Sequence, residues 1–88
     1  MLKAFDKISG MGRAGKALKQ VLAAYDISQY QLAATMEIDR SNISRWVSEE
    51  RDPSAEAVFA IKKALQALNP NAAKEFVWLY LENGAEDS

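Results

Sequence analysis

The residues of this 88-residue chain best suited to recognising another molecule are Arg40, Ser41, Ser44 and Arg45. At about 100° per residue on a helix, these four fall on one side of the run from Arg40 to Ser48. Ile43, Trp46 and Val47 fall on the other side. A guanidinium group holds paired N–H donors in a fixed fork that matches O6 and N7 of guanine, and a serine hydroxyl can bond several base edges. The pattern suits the reading of base edges by hydrogen bonds. Bond-making chemistry has no comparable candidates. The chain holds neither cysteine nor histidine, which excludes disulfides, thiol redox chemistry, the usual zinc sites and nucleophile–His catalysis. Its carboxylates are scattered, with neither pairing nor metal-ligand spacing. The expectation is a non-enzymatic protein without a cofactor.

Such a face recognises nothing unless a scaffold holds it outward, and the flanking sequence supplies one. The pattern predicts an all-α chain of five helices, with no strand signals. Leu18, Val21, Leu22 and Tyr25 recur at helical spacing and predict helix one over about Ala14 to Tyr25. Asp26 interrupts it. Ser28 is a suitable N-cap for helix two, and Gln31 stands three residues on, as in a capping box. Leu32, Ala33 and Met36 form the apolar stripe of that helix. Asp39 caps helix three. After the polar loop from Glu49 to Pro53, Ser54 caps helix four, about Ala55 to Leu68, with Val58, Ile61, Leu65 and Leu68 inward. Asn69-Pro70 stops that helix and opens the fifth, with proline at the tolerated first position. Gly84 is the expected terminator near Glu82. Helices two and three, joined by a tight turn, have the layout of a helix-turn-helix, whose second helix enters the DNA major groove.

The sequence resembles the lambda-repressor-like helix-turn-helix proteins, the XRE family, over roughly Lys16 to Leu81. The resemblance rests on Ile27-Ser28-Gln29, on Leu32-Ala33, on the run from Ile38 to Trp46 and on Arg51-Asp52-Pro53-Ser54. Three departures stand out. The family usually has Gly in the turn between helices two and three, where this chain has Glu37. It usually has Gly after helix three, where this chain has Glu49. A non-glycine residue in left-handed backbone costs on the order of 1 kcal/mol. The third departure is paired. An Arg late in helix one and a Glu at the end of helix three often form a semi-buried ion pair in the family; Leu22 and Val47 stand at those positions here. Exchanging both partners for hydrophobes leaves no orphan charge and is often neutral or stabilising.

The resemblance implies base contact from Arg40, Ser41, Ser44 and Arg45, since the front of the recognition helix enters the groove. On an isolated helix the same residues would be an ordinary solvated face. It also implies phosphate contact at Gln29, where backbone N–H groups and the helix dipole favour an anion. Asn42 can bond phosphate or a base. Arg13, Lys16 and Lys19, at the start of helix one, can approach the phosphate backbone or serve solubility alone. Lys3 and Lys7 belong to an expected N-terminal arm or short helix, residues 1–12, while Lys62 and Lys63 read as plain surface. Trp46 belongs to the core.

Charge supports this layout only by its distribution. The formal net charge is -1. Met1 to Lys74 carries eleven basic and eight acidic residues, while Glu75 to Ser88 carries four acidic residues and no basic one. A mildly basic body thus ends in an acidic tail, residues 83–88, expected to face away from a polyanion. No apolar run approaches the roughly 18 residues of a membrane span, and the apolar stretch within Met1 to Gly12 is too short for a secretory signal. A cytoplasmic location is the expectation.

Residues 76–81, Phe-Val-Trp-Leu-Tyr-Leu, are consecutively apolar. Ala73, Phe76, Val77 and Tyr80 make one stripe that can cover the core, and Trp78 points nearly opposite with Leu81 between. A second copy of the chain could bury Trp78 and Leu81, which predicts a homodimer; the rival is a core helix with an exposed Trp78. Taken together the residues predict a dimeric, sequence-specific DNA-binding regulator, acting as a repressor on double-stranded DNA. The alternatives are a protein–protein interaction module or an antitoxin-type partner protein on the same scaffold, favoured by the acidic Glu49, Glu50 and Asp52 beside the recognition helix.

Overall fold

The polar residues that open the helices do so as their spacing predicts. In a computed structural model, which describes residues 13–83, the elements are α1 (Arg13–Ala24), α2 (Gln29–Met36), α3 (Arg40–Val47), α4 (Ala55–Leu68) and α5 (Pro70–Val77). The last of these continues into a π-helical segment, Trp78–Asn83. Among the described residues there is no strand. Ser28 and Gln31 form the full capping box of α2: Ser28 Oγ accepts from the Gln31 N–H at 3.0 Å and Gln31 Oε1 accepts from the Ser28 N–H at 2.9 Å. Ser54 Oγ accepts from the Ala57 N–H at 3.1 Å at the start of α4. Asn69 Oδ1 accepts from the Asn71 N–H at 3.0 Å, and Pro70 follows as the first residue of α5. Each such cap satisfies a backbone donor that the helix itself leaves unpaired, worth about 0.5–2 kcal/mol. The expected N-terminal arm, residues 1–12, and the tail beyond residue 83 with Gly84 lie outside the described residues.

The helix ends are less ordinary. Among the described residues, three non-glycine residues take left-handed backbone, Asp26 (φ 54°), Glu37 (φ 60°) and Glu49 (φ 66°), and each follows one of the first three helices. Glu37 and Glu49 are the two positions where the resembling family places glycine. The turns have therefore kept their shape, and the side chains carry its cost of about 1 kcal/mol each. At the first of them the Glu37 N–H donates to Ala34 O at 3.2 Å and the Ile38 N–H to Ala33 O at 3.0 Å, so the end of α2 is still hydrogen-bonded. Helix α1 stops at Ala24, one residue before the expected Tyr25, because Asp26 turns the chain and the Ile27 N–H closes back on Leu22 O at 2.9 Å.

The core is a single cluster drawn from all five helices. Leu18, Val21, Leu32, Ile43, Ile61, Leu65 and Phe76 are its fully buried side chains. Trp46 is buried with them, and Leu22 and Val47 both join the cluster where the family's ion pair would stand. Two expectations about the core are corrected. Leu68 is exposed, because it is the last residue of α4, beyond the reach of the neighbouring helices; Ala64 is buried instead. The buried sector of α5 and its extension is wider than the expected stripe, since Ala72 and Leu79 are buried while Val77 and Tyr80 are only half-buried. The reason is that α4 and α1 grip this helix from two sides. The Phe76 and Tyr80 rings stack along it, 6.1 Å apart.

Helix α1 also seats α3. A side chain at Gly15 would place its Cβ 2.0 Å from the carbonyl oxygen of Trp46. The two backbones thus approach so closely that only glycine fits.

Candidate nucleic-acid interface

Recognition by a helix needs its core face anchored and its outer face open. In α3, Ile43 is fully buried and Trp46 nearly so, while Arg40, Ser41 and Arg45 are exposed and Ser44 is half-exposed. At about 100° per residue, Arg40, Ser44, Ser41 and Arg45 span an arc of roughly 140° on one side of the helix. The four residues singled out from the sequence are therefore brought together on one face. Asn42 lies past Arg45 on the edge of that arc. It is half-buried, and its amide Nδ2 donates to Asp39 O at 3.2 Å, which commits part of its hydrogen-bonding capacity to the helix start.

Asp39 places this face. Its Oδ1 accepts from the Ser41 N–H at 2.8 Å, which fixes where the helix begins. The hydrogen bonds from the Ser41 backbone and hydroxyl, helped by the positive fields of Arg45 and Arg40, hold the Asp39 carboxyl below the usual carboxylate range. The negative cap thus feels the charge of both candidate base-reading guanidinium groups.

Helix α2 packs against α3. Its capping box occupies the N–H groups of Ser28 and Gln31 and leaves those of Gln29 and Tyr30 outside the box. Gln29 is the first residue of α2 and is half-exposed. On α1, Lys16 and Lys19 are exposed, whereas Arg13 is half-buried. Helix α1 meets α3 at Trp46, near its end, while Arg40 and Ser41 stand at its start, about 9 Å away along the axis at 1.5 Å per residue. The three basic residues of α1 are therefore on the scaffold beside α3, not part of its outer face.

Sequence reasoning passed over two exposed residues of the elements that flank this face. Tyr30 is 72% exposed in the first turn of α2, beside Gln29. A tyrosine one residue into an amphipathic helix, off its Leu32–Ala33 stripe, is the signal that pointed to it. Arg51 is exposed just past α3, and its N–H donates to Arg45 O at 3.3 Å, so the loop that carries it is tied to the recognition helix. The loop read simply as polar, but a basic residue so close to the helix end was visible.

The fold and the exposed face together define an all-α domain built around a helix-turn-helix. A family model described as helix-turn-helix matches residues 18–70. The chain belongs to that family, the XRE type of lambda-repressor-like helix-turn-helix proteins, a class of DNA-binding regulators. The match runs from α1 to the first residue of α5, a shorter span than the resemblance over Lys16 to Leu81, and leaves the aromatic end of the chain outside it. Comparison with curated proteins and with solved structures gave no significant match. Among the described residues no helix is long and apolar enough to cross a membrane.

Proposed function

We propose that this chain binds double-stranded DNA in a sequence-specific manner as a homodimer and acts as a transcriptional repressor. Helix α3 enters the major groove, where Arg40 and Arg45 read guanine edges and Ser41 and Ser44 bond neighbouring bases. Gln29 and Asn42 meet phosphates on either side of the groove, with Lys16, Lys19 and Arg13 adding charge toward the phosphate backbone. Trp78 and Leu81, 52% and 55% exposed, form the contact between copies. A two-fold pair then presents two recognition helices to half-sites about 34–36 Å apart. Repression is by occupancy: a filled groove excludes polymerase and other proteins.

The observation that carries this reading is the outward arc of Arg40, Ser41, Ser44 and Arg45 on a helix whose other side is sealed into the core. The test is selection of bound duplexes from a random DNA pool. It is followed by binding of the enriched duplex to Arg40→Ala and Arg45→Ala. A bidentate Arg–guanine pair is worth about 1–3 kcal/mol, so each variant should bind roughly 5- to 150-fold more weakly and tolerate base changes at one position of each half-site. A pool that shows no enrichment at low salt rejects DNA binding and leaves the interaction-module reading. An enriched duplex without two-fold symmetry rejects the dimer.

A further inference from the structure

The contact between copies proposed above is too small as it stands. A specific interface buries about 800 Å² of each partner. Trp78 and Leu81 are each about half exposed and together offer only on the order of 200 Å². The apolar surface does not stop at Leu81. That residue is also a wall of an open groove of about 290 Å³ between α4 and the end of α5, with Val58, Phe59 and Lys62 on one side and Val77, Tyr80 and Leu81 on the other. Phe59, 61% exposed, stands on its rim.

We infer that the groove receives Phe59 of a second copy, with the two α4 helices antiparallel about a two-fold axis. The inference rests on the dimer reading and says how its interface is completed. The pattern of α4 is self-complementary under that operation. At about 100° per residue, Glu56 and Lys63 fall to the same side of Phe59, about 60° and 40° from it, one turn before and one turn after. Ala55 and Lys62 fall to the other side, and both line the groove, whereas Glu56 and Lys63 do not. An antiparallel pair centred on Phe59 therefore sets Glu56 against the partner's Lys63, and a two-fold contact makes every such pair twice. Glu56, Phe59 and Lys63 are all exposed, and the Lys63 ammonium lies 5.6 Å from the Phe59 ring centroid. Acid, aromatic ring and base thus form one strip along α4. A parallel pairing would bring the two Glu56 to one level and the two Lys63 to another, and like charges across an interface are costly. The antiparallel arrangement also puts both grooves, and with them both copies of Leu81, on the same side of the α4 pair. The new contact is therefore continuous with the one already proposed, and it draws no residue from α2 or α3.

The test is sedimentation equilibrium of the full chain at low salt, where surface charge is least screened. Phe59→Ser should raise the dimer dissociation constant about a hundredfold, since two aromatic side chains lose their seats, with the helical circular dichroism unchanged. Glu56→Lys and Lys63→Glu each set like charges face to face and should each weaken self-association about tenfold. Mixed in equal amounts, these two variants should associate as tightly as the natural chain, because every facing pair is again of opposite sign. An unchanged dimer in Phe59→Ser, or a mixture that associates no more tightly than either variant alone, overturns the inference; the dimer reading is then judged by Trp78→Ala. A natural chain that stays monomeric at every concentration overturns both.

Discussion

Replacing Gly15 by alanine should loosen the seat of the recognition helix. The added methyl lies 2.0 Å from the Trp46 carbonyl oxygen and 3.1 Å from its carbonyl carbon. Carbon–oxygen contacts settle at about 3.3–3.6 Å, so α1 and α3 must separate by roughly 1.3 Å. The obstacle is backbone, which cannot rotate aside as a side chain does. It is also the oxygen that accepts the Glu49 N–H at 3.0 Å, at the left-handed turn closing α3. Overpacking typically costs about 1–3 kcal/mol, and a backbone clash belongs at the upper end. Against this, alanine is better than glycine inside a helix by about 0.5–1 kcal/mol. The net expectation is a loss of about 2 kcal/mol. For a domain of this size that lowers the melting temperature by about 8–16 °C. Urea titration and calorimetry on Gly15→Ala measure it. Ala23→Gly, at an exposed position of the same helix, is the control and should lose about 0.5–1 kcal/mol from propensity alone. If Gly15→Ala proves as stable as the natural chain, or more stable, the close approach of α1 to α3 is wrong.

The opposite exchange should stabilise at two turns: Glu37→Gly and Glu49→Gly each remove a side chain from left-handed backbone and should raise stability by up to about 1 kcal/mol, measured as a higher urea midpoint. Trp78→Ala should raise the dimer dissociation constant at least about a hundredfold, since two buried aromatic side chains are lost at about 1.5–3 kcal/mol each; an unchanged sedimentation profile speaks against Trp78 as the contact. Asp39 titrates below its ordinary value in the folded chain, so its carboxylate stabilises the fold above the unfolded pKa of about 3.9. That contribution disappears as pH falls through the lower folded value. Asp39→Asn keeps a capping oxygen without the titration, so the acid limb of its stability curve should be flatter than that of the natural chain.

Most of the helix starts were legible because a cap is a local device. Ser28 with Gln31, Asp39, Ser54 and Asn69-Pro70 each declare an N-terminus within four residues, and the structure realises every one. The outward face of α3 was legible for the same reason, since Ile43 and Trp46 fix which side is inward. What the sequence hid depends on neighbours far along the chain. Gly15 reads as a helix weakness until Trp46 is placed against it. Leu68 matches the stripe of α4 by period, yet it stands where the helix runs out of partners. Leu79 falls outside the expected stripe because two helices, not one, cover α5. The left-handed turns were visible only through the family's glycines; Asp26, without such a counterpart, was read as the interruption of helix one but not as left-handed.

The π-helical segment over Trp78–Asn83 pairs its backbone groups five residues apart and so holds one residue more per turn than the helix it continues. Rewinding the same six residues as an ordinary α-helix would swing the end of the segment through about 100°, the angle of the one residue the wider turn absorbs. Leu81 would then point elsewhere while Phe76 and the packing before it stayed in place. A change of winding, with every residue preserved, thus redirects this end of the protein toward a new neighbour and leaves the helix-turn-helix untouched.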